Sequence, residues 1–136
     1  MKVFVKTDIG RIRPINEDSY YLPREGERFC AIADGMGGHN AGEIASAMAV
    51  RVFSGEMRGC RWMDGASMRR AVDRANAAVY ARSRCVEQYS GMGTTFTALA
   101  LSNGSAYVAH VGDSRAYLIR RGSILRITVD LSLIHI

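Results

Sequence analysis

The segment Asp34-Gly35-Met36-Gly37-Gly38-His39 follows directly on an apolar run, Phe29-Cys30-Ala31-Ile32-Ala33. The run reads as a buried strand. Three glycines within four positions make poor helix or strand material. They predict a turn in which the backbone comes close to a ligand. A carboxylate at the end of a rigid strand, with open backbone carbonyls beside it, is suited to holding a hard cation. Any fold for this chain has to present that turn.

The rest of the pattern places the turn in an α+β chain. Val3 to Thr7 alternates and predicts a first strand, Gly10 to Pro14 a turn, and Ser19 to Leu22 a second strand. Arg24-Glu25-Gly26-Glu27 predicts a hairpin loop leading into the strand Phe29 to Ala33. Apolar residues at Ile44, Ala45, Met48, Ala49 and Phe53 predict a helix from Ala41 to about Phe53, interrupted by Gly55 to Cys60. A second helix is predicted from a cap at Asp64 to about Gln88, with Met68, Ala71, Val72, Ala75, Val79 and Tyr80 inward. Beyond Gly91-Met92-Gly93 the pattern is a meander. Strands are predicted over Thr94 to Leu101, Ala106 to Val111, Arg115 to Ile119 and from Ile124, with Asn103-Gly104 as a hairpin signal. Strands, two helices and then a meander favour antiparallel sheets with helices on an outer face.

Composition narrows the function classes. The 136 residues suffice for one domain with a core, and 48% hydrophobic with 23% charged residues is an ordinary globular profile. No apolar run approaches the roughly 20 residues of a membrane span. Met1 to Lys6 is too short and too soon interrupted for a signal peptide, so no membrane partner and a cytoplasmic location are expected. Cys30, Cys60 and Cys85 show no C-x-x-C spacing, which fits reduced thiols and argues against structural zinc. The net charge of +5 is spread along Arg69, Arg70, Arg74, Arg82 and Arg84 and near Arg115, Arg120 and Arg121. No aromatic residues interleave with them for base stacking, so a solvated surface is expected, with no nucleic-acid partner. The charge still favours acidic or phosphorylated partners.

Several side chains carry candidate chemistry. Glu17 and Asp18 are adjacent carboxylates after a turn; on a strand they point to opposite faces, so one would bind an ion and the other hold a coordinated water. With Asp34 and the Gly35 carbonyl they form an all-oxygen donor set suited to Mg2+ or Mn2+ rather than zinc. His39 is a candidate proton donor. Arg13, four residues before Glu17, has the guanidinium fork that suits a phosphate. Asp113, after the strand ending at Val111, repeats the logic of Asp34. The structural alternatives are surface turns for Glu17, Asp18 and Asp113, a helix-entry histidine and a solvated arginine. His110, within a strand, is expected to pack rather than to ligate.

Taken together, four segments resemble the metal-dependent protein phosphatase family, type 2C, in its bacterial form. They are Gly10 to Asp18, Asp34 to His39 with Ala41-Gly42-Glu43 and Ala45-Ser46 following, Gly91 to Thr95, and Val111 to Tyr117. The resemblance runs from about Thr7 to Asp130. It implies a four-layer αββα sandwich of two antiparallel sheets flanked by helices, incomplete in this chain. It also implies hydrolysis of phosphoserine and phosphothreonine in proteins by a water bridging two Mn2+ or Mg2+ ions, a third ion binding more loosely. Asp34 would bridge the two ions, the Gly35 carbonyl would ligate one, and Glu17 and Asp18 would hold the same ion directly or through water. Arg13 would bind the substrate phosphate, and Asp113 would serve the third ion. Expected partners are phosphorylated proteins, substrates of a serine/threonine kinase, and the expected state is a monomer.

The chain departs from the family pattern in two ways. Met36 stands where eukaryotic members carry the histidine proposed as general acid, as is usual in the bacterial form, so His39 is only a candidate. The chain also stops near the middle of a family domain, before two further metal-ligand aspartates. Residues 1–130 are therefore expected to be the N-terminal part of one domain, inactive or nearly so alone. The tail Leu131-Ser132-Leu133-Ile134-His135-Ile136 matches one reading frame of a sequencing adapter and is expected to be non-native. The alternatives are a non-catalytic phosphoprotein-binding module of this fold and a regulatory phosphatase acting on an anti-sigma-type antagonist.

Overall fold

The sheet that organises the molecule is built on the alternation along one strand. In a computed structural model describing residues 1–38 and 41–130, the strand Phe29–Met36 (β2) buries Phe29, Ala31, Ala33 and Gly35 and turns Ile32, Asp34 and Met36 outward. It pairs antiparallel with Asp18–Tyr21 (β1) on one side and with Phe96–Ser102 (β4) on the other. Ser105–Val111 (β5) adds to β4, and the short Gly93–Thr94 (β3) continues the pairing along the end of β2. Tyr117–Arg120 (β6) and Ser123–Arg126 (β7) form a separate two-stranded antiparallel sheet. With the helices Ala41–Gly59 (α1) and Gly65–Cys85 (α2), the chain is α+β with two antiparallel sheets, as expected.

The core lies between the helices and the inner face of the larger sheet. Phe53 of α1 is fully buried, its ring meeting Phe29 at 6.3 Å and Phe96 at 5.0 Å between centroids. Ala45 and Ala49 of α1, Ala71 and Ala75 of α2, and Ala31, Ala98 and Ala100 of the sheet surround these rings. Small side chains let helix and sheet approach closely, so little space remains to collapse around a deletion. Phe53→Ala is therefore expected to lower the unfolding free energy by about 3–5 kcal/mol, read by urea denaturation. A loss below about 1 kcal/mol would show that this ring is not central to the core.

Local signals placed most of the elements. Asp64 caps α2: its carboxylate accepts from Ser67 N at 2.7 Å, and Ser67 Oγ accepts from Asp64 N at 2.8 Å, a reciprocal capping box. Asn103 and Gly104 both take left-handed backbone, at φ 50° and 76°, as a two-residue hairpin between β4 and β5 requires.

Four expectations fail for identifiable reasons. Val3 to Thr7 forms no strand, and Phe4 is 92% exposed. The segment has no hydrogen-bonded strand neighbour among the described residues, and an unpaired strand is not stable. Helix α1 runs through Gly55 to Gly59, because burial of Ser54 and Met57 outweighs glycine's roughly 1 kcal/mol helix penalty. Tyr80 is exposed, since Val79 takes the inward position and the next residue lies about 100° around the helix. Asp34 to Met36 continue β2 rather than turn, because Asp34 pairs with Asp18, Gly35 with Thr94 and Met36 with Gly93. The tail 131–136 lies outside the described residues. Among the described residues no helix is long and apolar enough to cross a membrane.

Candidate metal centre

Strand pairing brings the first two carboxylates together. Asp18 opens β1 and is the cross-strand partner of Asp34, so both side chains leave the sheet on its outer face. Asp18 Oδ2 accepts from Thr7 Oγ1 at 2.6 Å, and Thr7 Oγ1 in turn accepts from Asn16 Nδ2 at 2.9 Å. The Asn16 side-chain oxygen accepts from Asp18 N at 3.0 Å, closing the turn that aims Asp18. Thr7 thus serves the site from irregular chain, a role its reading as a strand residue missed.

Glu17 goes to the opposite face, as the alternation predicts. Its carboxylate lies beside Gly42 in the first turn of α1, where a Cβ would come within 2.3 Å of Glu17 Oε1. A helix N-terminus favours a negative charge there. Arg13 Nη1 stands 3.3 Å from Glu17 Oε2, with the arginine largely exposed. Such an exposed pair contributes only about 0–1 kcal/mol, leaving Arg13 available to a stronger anion. The Glu17 carbonyl is held twice, by Ser46 Oγ at 2.6 Å and by Gly35 N at 3.1 Å.

Asp113 follows β5 in the bend begun by Gly112, whose φ of 106° suits glycine. His110 packs, as expected: Nε2 donates to the Gly112 carbonyl at 3.0 Å, and Nδ1 lies 3.0 Å from Thr97 Oγ1. A carbonyl accepts only, so Nε2 carries a proton. His39 lies outside the described residues, and nothing in the structure bears on its role as an acid.

The electrostatics couple these groups to Asp34. Partial desolvation pushes the Asp34 carboxyl above the ordinary aspartate value; Asp18, Asp113 and Glu17 push it further, and Arg13 opposes them. Like charges gathered without a compensating cation are costly, and a hard divalent ion is what such oxygen donors take. The donors fit Mn2+ or Mg2+ in kind. In number they fall short: among the described residues no three His, Cys, Asp or Glu side chains converge on one ion position.

The family model for Protein phosphatase 2C matches residues 14–131. The chain belongs to the protein phosphatase 2C family. A serine/threonine phosphatase, stp, of Listeria welshimeri is 34% identical across 96% of the chain and 54% of its own length. The serine/threonine protein phosphatase PstP of Mycobacterium tuberculosis is 37% identical across 96% of the chain and 25% of its own length. The chain thus spans about half, or less, of the curated relatives it matches. A crystal structure of the PstP catalytic domain in complex with two manganese ions is 38% identical, with a TM-score of 0.85, over 95% of the chain and 55% of that domain. The two antiparallel sheets and their helices are the arrangement of these protein phosphatase 2C structures.

Proposed function

We propose that this chain serves metal-dependent hydrolysis of phosphoserine and phosphothreonine in proteins, with two Mn2+ or Mg2+ ions and a third held more loosely. The observation that carries the reading is the Asp18–Asp34 cross-strand pair, with Glu17, Asp113 and Arg13 close enough to bias Asp34. The named activity of the stp and PstP relatives and the two manganese ions of the PstP catalytic domain support it. Asp34 would hold both principal ions, Asp18 and Glu17 one of them directly or through water, with the Gly35 carbonyl, and Asp113 the third. Bound ions supply positive charge and a Lewis acid at the phosphate. Arg13 would leave Glu17 to fork onto the phosphate oxygens and orient them. These ligands do not complete a two-ion site, and further carboxylates would come from the rest of the relatives' length. The substrates would be products of a serine/threonine kinase.

The test is phosphate release from a phosphothreonine peptide by the full-length protein that carries this chain. Release is expected with added Mn2+ and not after chelation. Arg13→Ala is expected to raise KM about tenfold or more while leaving Mn2+ affinity near wild type. Tight capture of the phosphopeptide with no turnover at saturating Mn2+ would favour the non-catalytic binding module instead.

A further inference from the structure

Thr95 lies between β3 and β4, 94% shielded from solvent, and the metal reading gives it no role. Its contacts join the two parts of the site that different strands deliver. Asp34 N donates to Thr95 Oγ1 at 3.1 Å, and Thr95 N donates to the Asp34 carbonyl at 2.9 Å. Thr95 Oγ1 also lies 2.9 Å from Ser114 Oγ, in the bend that carries Asp113. A hydroxyl has one proton and two lone pairs. With one lone pair accepting from Asp34 N, the Thr95 proton is free to reach Ser114 Oγ. The Thr95 side chain also seats the start of that bend: a Cβ at Gly112 would come within 2.9 Å of Thr95 Cβ and Cγ2. One buried side chain therefore touches the backbone of Asp34 and both neighbours of Asp113.

We propose that Thr95 is a positioning residue whose hydroxyl fixes the spacing between Asp34 and the Asp113 bend, and so sets how tightly the site takes divalent cations. The inference rests on the metal reading above. Groups that hold ligands without touching the ion commonly change affinity 10–100-fold. Strands β2 and β5 are not neighbours; β4 lies between them, and the Thr95 hydroxyl at its start spans the gap. Ser114 holds only the bend, so its loss should loosen Asp113 and leave Asp34 in place.

The experiment is Mn2+ binding to the full-length protein by calorimetry and by the free-Mn2+ electron paramagnetic resonance signal, with chelator melts as a fold control. Thr95→Val keeps the shape and removes the hydroxyl; it is expected to weaken Mn2+ binding about tenfold or more. The Mn2+ needed for half-maximal activity should rise in step, with kcat at saturating Mn2+ within about threefold of wild type. Thr95→Ser is expected to restore most of the affinity, and Ser114→Ala to weaken only the loosest ion. If wild type takes up no Mn2+, the functional reading itself fails. If wild type binds and a folded Thr95→Val binds equally well, the positioning role is overturned. A Thr95→Ser protein as weak as Thr95→Val would overturn it too, assigning the effect to the methyl contact with Gly112. Should Thr95→Val not fold, Ser114→Ala decides: unchanged binding of the loosest ion overturns the role.

Discussion

Asp34→Asn is expected to abolish Mn2+-dependent hydrolysis in the full-length protein, by about a thousandfold or more, and yet to raise the melting temperature of the metal-free protein. The two effects share one cause. Desolvation and the Asp18, Asp113 and Glu17 carboxylates raise the Asp34 pKa, so its charge is held against a gradient that a cation would relieve. A carboxyl whose folded pKa lies above its unfolded value binds a proton more tightly when folded. Its contribution to stability therefore falls as pH rises from the ordinary aspartate value through the raised one, and stays unfavourable above that. Asparagine removes the charge and keeps the backbone bonds to Thr95. Melts in chelator across pH 3–8 isolate the contribution as the difference between variant and wild type, which should grow from the ordinary aspartate value through the raised one and then level off. With Mn2+ added, the order should invert, since only wild type gains from the ion. Full activity in the variant would remove Asp34 from the metal site. A lower melting temperature than wild type in chelator at neutral pH would mean that Asp34 is held by favourable contacts.

How much of this was legible in the sequence depends on the range of the interaction. Asp64 with Ser67, and Asn103 with Gly104, are complete within a few residues, so their chemistry announces itself locally. The amphipathic stripe of α2 is equally local, and it failed only at Tyr80, one position from the boundary of the buried face. Val3 to Thr7 had the alternation of a strand but no neighbour, and no local pattern reports whether a partner strand is there. The carboxylates were legible as candidates by type and spacing. Their spatial relation was not, because Asp18 meets Asp34 through strand register, while Asp113 follows β5, which β4 separates from β2. Thr95 read as a strand start because nothing nearby in the chain marks a hydroxyl bridging residues 34 and 114. The opposed faces of Glu17 and Asp18 did follow from strand alternation alone.

Gly35→Ala is expected to cost about 3 kcal/mol or more in unfolding free energy, and it tests why the glycines after Asp34 are there at all. The sequence suggests a turn; the structure places Gly35 inside a strand, paired with Thr94. Its requirement for glycine is therefore one of space. A Cβ at Gly35 would lie 2.0 Å from the Gly42 carbonyl oxygen, 2.4 Å from the Gly42 carbonyl carbon and 2.8 Å from the Glu17 carbonyl oxygen. All three are backbone atoms, so no side-chain rotation relieves the overlap; α1 or β1 has to move. That movement would pull apart Gly35 N and the Glu17 carbonyl, now 3.1 Å apart, and shift Glu17 away from the N-terminal turn of α1. Gly38→Ala is the control within the same motif, since among the described residues a Cβ there meets nothing within 4 Å. Urea denaturation of both variants in chelator should show Gly38→Ala within about 1 kcal/mol of wild type and Gly35→Ala far below it. Equal stability of the two would mean that α1 does not seat on β2 at this contact. Glycine at position 35 is then what lets a helix N-terminus close over the strand that carries Asp34, with Glu17 held between them.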